Sequence, residues 1–156
     1  MVKEPFLSVI KGEKSFREGN YSTYITRFPE KLSEVAIVDL DRDGKNEVVA
    51  RFQSQLIVFR DTADGVIGHA FRFQSMYDIN KDGTFFWNAN AGMAYGCSSL
   101  TFTELGYTTT EHFRIEHGDN GEITYYVENK AVTLAELNAA ASKIAKDSVV
   151  WLDIAE

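Results

Sequence analysis

Cysteine occurs once in this chain, at Cys97. A lone thiol excludes an internal disulfide, so the fold must rest on buried apolar surface rather than on covalent staples. No apolar run is long enough to span a bilayer, and the opening residues Met1-Val2-Lys3-Glu4 carry no signal-peptide pattern. Lysine and arginine nowhere cluster. A formal charge of -7 and a pI near 5.0 argue against nucleic acid or an anionic membrane as partner, since both are held by grouped cations. Histidine is also scarce: His69, His112 and His117 form no HExxH pair, and a separation of five puts the last two on opposite faces of a continuous strand. No G-x-S-x-G elbow surrounds Ser98 or Ser99, and no glycine-rich phosphate loop is present. These absences leave no recognisable catalytic motif. A carboxylate pair for glycoside hydrolysis leaves no spacing in sequence and stays open as an alternative.

What is present suffices for a core. The 156 residues, 44% hydrophobic and 13% aromatic, read as one domain over 1–156. Phe6, Leu7 and Ile10 follow a helical spacing between Pro5 and Gly12 and predict a short N-terminal helix. Over residues 15–33 the anchors Phe16, Tyr21, Tyr24, Ile25 and Phe28 are irregular and Pro29 interrupts them, so 1–33 reads as a helix and an arm laid across a sheet. β-branched and aromatic runs at 35–40, 47–52, 56–60, 66–73, 84–87, 99–102, 112–116 and 122–127 predict strands. Their short links predict antiparallel neighbours. Asp119-Asn120-Gly121 marks a hairpin, and the small residues of 88–96 allow tight turns or close approach of a ligand. Thr133-Leu134-Ala135-Glu136 matches a capping box. Leu134, Leu137, Ala141 and Ile144 then form the apolar face of a helix to about Lys146, ahead of an apolar tail at 149–152. The expected fold is α+β: one antiparallel, meander-like sheet over 34–132, packed by the C-terminal helix of the 133–156 helix and tail and by the short N-terminal helix.

The densest chemical signal is Asp39-Leu40-Asp41-Arg42-Asp43-Gly44-Lys45-Asn46-Glu47, with acids at alternate positions around a glycine. Ca²⁺ takes six to eight oxygens at about 2.3–2.6 Å, and in such loops the first, third and fifth side chains turn inward while the seventh residue offers its carbonyl. Here those are Asp39, Asp41, Asp43 and the Lys45 carbonyl. Ala50 stands where a twelfth-position Glu is usual, so Glu47 is expected to reach back and bind through both oxygens. The flanks are strand-like, which makes this a strand-loop-strand site and not a helix-loop-helix hand. Two like charges about 4 Å apart repel by up to about 4 kcal/mol at an effective dielectric near 20. Converging carboxylates therefore need a cation, a proton or an outward splay. A structural Ca²⁺ is the reading taken, with a hydrated acidic turn as the plain alternative. Asp78-Ile79-Asn80-Lys81-Asp82-Gly83-Thr84 repeats the first three ligand positions but puts Phe86 ninth, and reads as a turn.

Cys97, with no base or protease signature beside it, reads as a small buried hydrophobe. Phe85, Phe86, Trp87, Tyr95, Tyr107, Tyr125 and Tyr126 read mostly as core. Alternation sets Phe86 opposite Phe85 and Trp87, so one face of that strand is expected to stay partly exposed.

The order of Ile37-Val38 and the Asp loop, Phe71-Arg72-Phe73 with Met76, Asp82-Gly83-Thr84-Phe85, the small-residue stretch through Gly96, Tyr125-Tyr126-Val127, Val132-Thr133 and Trp151 resembles uncharacterised secreted or lipoprotein-type domains of Clostridia and related Firmicutes. The likeness runs from about Glu34 onward. It implies a place outside the cytoplasmic membrane, secreted or on the cell envelope, and supplies no catalytic residues. The Asp loop is also similar to the calcium hairpins of integrin-type propeller repeats, which implies ligand roles for Asp39, Asp41, Asp43, Lys45 and Glu47. The chain departs from lipoprotein relatives in having no Cys near residue 1. The expectation is a non-enzymatic, monomeric binding or structural module with a calcium-stabilised loop and a protein or glycan ligand. The alternatives are a hydrolase with an unrecognised carboxylate pair and a cytoplasmic acidic partner-binding or inhibitor protein.

Overall fold

The computed structural model describes residues 1–19, the backbone of 25–26, residue 32, and residues 34–144 and 146–154. In chain order the elements are α1 (Phe6–Ile10), β1 (Phe16–Glu18), β2 (Ile25–Thr26), β3 (Glu34–Val38), β4 (Glu47–Phe52), β5 (Gln55–Thr62), β6 (Gly65–Arg72), β7 (Phe85–Ala89), β8 (Ala94–Phe102), β9 (Tyr107–His117), β10 (Ile123–Val127), β11 (Lys130–Val132), α2 (Leu134–Ser142) and β12 (Trp151–Asp153). This is mostly β structure with two short helices, within the α+β class. Among the described residues no helix is long and apolar enough to cross a membrane.

The expectation of one antiparallel sheet is corrected. The described residues form two sheets, one of seven strands in the order β12-β3-β4-β5-β6-β1-β2 and one of five in the order β11-β10-β9-β8-β7. Period-2 patterning says which face of a strand is buried but not which sheet the strand joins, because every strand presents the same alternation. The break falls after β6, where the turn at 73–84 carries the chain into a new sheet. The first sheet is also not wholly antiparallel, since β1 runs parallel to β6. Residues 15–33, expected as an arm across the sheet, instead add β1 and β2 to its edge where they are described. Tyr21, Tyr24, Phe28 and Pro29 lie outside the described residues.

Alternation distributes the apolar side chains over three layers of core. Val48 and Ala50 on β4, with Ile57 and Phe59 on β5, face α1 together with Val9, Ile10 and Phe16. Val49 and Val58 point the other way and meet Phe85 and Leu100 of the second sheet. Cys97 and Phe113, on the far face of that sheet, pack under Leu137 of α2. The order through the molecule is therefore helix, sheet, sheet, helix. Phe59 is fully buried and meets Phe16 edge-on at 5.0 Å between centroids. Burying such a side chain contributes about 2–3 kcal/mol.

Thr133 caps α2 by accepting the Glu136 backbone N–H at 3.2 Å. The helix stops at Ser142, short of Lys146, because Lys143 and Ile144 donate back three residues, to Ala140 and Ala141, and tighten the last turn. Leu137 is buried, but Leu134, expected on the same apolar face, is 49% exposed. The small-residue stretch 88–96 splits between strand and turn. Asn90, Ala91 and Gly92 hold φ of 52°, 55° and 87° in succession, and β8 resumes at Ala94.

Candidate functional site

The β3–β4 connection carries the acidic loop. Leu40 is fully buried between Asp39 and Asp41, which are only half-buried, so alternation turns the two carboxylates away from the core. Arg42 and Gly44 take positive φ, 63° and 90°, and reverse the chain. A Cβ at Gly44 would meet nothing within 4 Å, so the glycine is required by backbone conformation and not by space. Asp39 accepts the backbone N–H of Asp43 at 3.1 Å and of Gly44 at 3.0 Å, Asp41 accepts that of Asp43 at 3.3 Å, and Asp43 accepts that of Lys45 at 2.7 Å. These bonds draw the carboxylates inward.

One oxygen from each of Asp39, Asp41 and Asp43 lies within 4.8 Å of the others. Oxygens sharing a Ca²⁺ at about 2.4 Å are at most about 4.8 Å apart, so the trio meets the outer limit of spacing that a shared ion requires. Among the described residues no other trio of acidic, histidine or cysteine side chains gathers this way. Glu47 stands outside that trio. Only 4% exposed, it places Oε2 on the Leu40 backbone N–H at 2.8 Å, so closure through both oxygens, as the sequence suggested, would have to share Oε2 with that bond. Lys45 places its backbone N–H on Asp43.

Electrostatics follow from this crowding. Burial pushes the Glu47 carboxyl up to about 7, and Asp41, Asp43 and Asp39 add to the effect. Asp41 is also raised, by burial and then by Asp43. An open cleft of about 610 Å³ lies alongside, bounded by Asp41, Asp43, Glu47, Arg60, Asp61 and Phe102 among others.

The second Asp-Gly turn sits against the first. Arg42 donates to the Asp82 carbonyl at 3.2 Å, and a Cβ at Gly83 would fall 2.5 Å from the Leu40 carbonyl oxygen. Its polar side chains are spent on the turn itself: buried Asn80 donates to Thr84 Oγ1 at 3.0 Å, and Asp82 accepts from the Thr84 backbone at 2.9 Å. It is a turn, packed as a brace behind the acidic loop.

The remaining candidates do not converge. His69 is buried in β6, His112 meets Ser99 Oγ at 3.0 Å, and His117 stacks on Tyr95. The Ser99–His112 contact was invisible in sequence because an irregular register between Cys97 and Ser98 creates it. It has the first distance of a nucleophile–base pair. No third group among the described residues orients the imidazole, and neither residue lines the cleft beside the acidic loop. Cys97 is fully buried, and burial raises its thiol to about 11, so it is inert packing. Phe85 and Trp87 pack between the sheets and Phe86 packs in the cluster with Leu137 of α2, but Phe86 and Trp87 are only half-buried, so the strand stays partly exposed. The most exposed described aromatics are Phe73 at 42%, after β6, and Tyr95 at 37%, the latter accompanied by Met93 at 42% and Ile123 at 48%. Comparison of the chain with protein-family models, curated proteins and solved structures finds no match.

Proposed function

We propose that the chain is a non-catalytic binding module whose β3–β4 hairpin holds a structural Ca²⁺. The observation that carries this reading is the convergence of Asp39, Asp41 and Asp43 within 4.8 Å on a loop already turned inward by its own backbone. Glu47 Oε1 and the Lys45 carbonyl are the next ligands in the proposed set. A cation would offset the burial, and the lesser repulsion from the three aspartates, that hold Glu47 partly protonated. A surface-edge loop of this kind suits millimolar affinity, as in extracellular modules, and the resemblance to secreted envelope domains agrees with that setting. The ion acts on shape and stability. Recognition of a protein or glycan falls to the uncovered end of the second sheet, where the Tyr95 and His117 rings stack 5.9 Å apart beside exposed Ile123.

A second reading, a hydrolase, is favoured by one feature: a buried carboxyl near 7, Glu47, on a cleft that also holds Asp61. Thermal unfolding separates the two. With calcium at ten times its Kd the folded state gains about 1.4 kcal/mol, a midpoint rise of a few degrees. Mg²⁺ should not reproduce the rise, and Asp41→Ala with Asp43→Ala should abolish it. No rise in the unaltered chain sinks the calcium reading.

A further inference from the structure

The buried histidine that takes no part in the acidic loop occupies the junction of the two sheets. His69 on β6 and Arg60 on β5 both point from the first sheet toward the second, as the pairing of Val58 with His69 and of Arg60 with Ile67 requires. Arg60 Nε donates to His69 Nε2 at 3.0 Å, and another guanidinium nitrogen of Arg60 donates to the Glu104 carbonyl, in the β8–β9 turn, at 2.9 Å. The imidazole stacks on Phe102 at 5.4 Å and meets Tyr107 edge-on at 5.6 Å. One His–Arg pair thus ties two strands of the first sheet to the hairpin end of the second.

The bond also fixes the protonation state. Arginine only donates, so Nε2 must be the unprotonated nitrogen and the proton must sit on Nδ1. Nδ1 is buried with no hydrogen-bond partner among the described residues, facing the backbone at Gly19. A second proton can enter only at Nε2, where it would replace the acceptor that Arg60 uses and set two cations against each other.

We propose that His69 and Arg60 form an acid-sensitive latch holding the β8–β9 end of the second sheet on the face of the first. Among the described residues no carboxylate meets the imidazole, and Asp41 and Glu47 of the acidic loop act on the Arg60 guanidinium and not on His69. Arg60 on β5 is cationic, Arg17 on β1 shares the face through its pairing with Ile67, Tyr107 on β9 is a phenol, Phe102 on β8 is apolar, and Glu18 lies with Phe16 on the opposite face of the sheet. Burial first, and Arg60 second, lower His69 from 6.5 to about 4. Protonation therefore favours the unlatched form, by roughly 300-fold in the opening equilibrium once pH has fallen through that window.

Long-range ¹H–¹⁵N NMR of the full chain in chelator, from pH 7.5 to 3.5, reads both tautomer and titration. The expected result is an Nδ1–H imidazole that titrates well below pH 6. Amide exchange, corrected for intrinsic rates, should lose protection at 103–107 and 66–70 at least tenfold before β4 does. His69→Phe, which keeps the ring stack without a proton, should abolish that early loss. An Nε2–H tautomer, titration near 6.5, or simultaneous loss in β4 overturns the latch. Should the variant not fold, the titration and exchange of the unaltered chain still decide.

Discussion

Replacing Glu47 by Gln should stabilise the metal-free protein while weakening its response to calcium. The side chain is 4% exposed, and Gln can still accept the Leu40 N–H that Oε2 now holds at 2.8 Å. What changes is charge. In the unfolded chain the carboxyl ionises near 4.5, whereas in the fold burial and three neighbouring aspartates hold it to about 7. The unfolded state therefore gives up its proton first, and stability contributed by the protonated form is lost as pH rises from 4.5 to 7. A gap of about 2.5 pH units at 1.36 kcal/mol each is about 3 kcal/mol at pH 8 and close to zero at pH 4. Urea unfolding in EDTA should place Glu47→Gln more stable than the unaltered chain by that order at pH 8, with the two converging at pH 4. In millimolar calcium the ranking should narrow or reverse, because the cation stabilises the ionised carboxylate that Gln lacks. A variant equal to or weaker than the unaltered chain at pH 8 in EDTA would refute the assignment of Glu47 as a desolvated, destabilising acid.

Other substitutions test the packing. Gly83→Ala combines a φ of +86° with a Cβ 2.5 Å from the Leu40 carbonyl, so it should cost about 2 kcal/mol or more by denaturant unfolding and lower calcium affinity, because that brace positions the acidic loop. Leu137→Ala should cost about 2–3 kcal/mol, whereas Leu134→Ala, at a side chain 49% exposed, should fall below about 1 kcal/mol by the same measurement. Cys97, its thiol raised to about 11, should react with a thiol reagent at neutral pH only as fast as the protein opens; rapid labelling of the native state would show that it is accessible.

Local chemistry was legible in the residues themselves. Asp39 to Glu47 announces a tight reversal because acids at alternate positions and a glycine favour that backbone whatever surrounds it, and β4 was readable as 47–52 because its apolar run is bounded by turn residues. The Thr133 cap likewise depends on groups within three residues. Where the signal needed partners distant in sequence, it ran out. Leu134 had the right helical spacing but is left half exposed, because spacing within a helix does not say how far the packed neighbours extend. Ser99 and His112 met because of a register irregularity that leaves no mark in composition.

Sequence alone determined the period of the strands, the turns that join them and the acids gathered on one hairpin, since these follow from steric and hydrogen-bonding preferences within a few residues. Tertiary structure decided that the strands divide between two sheets, that Glu47 is buried on the Leu40 amide, and that Arg60 finds His69 and the β8–β9 turn. Burial, and through it the proton affinity of Glu47 and His69, belongs to the assembled layers, because the loss of water around a charge depends on every element that closes over it.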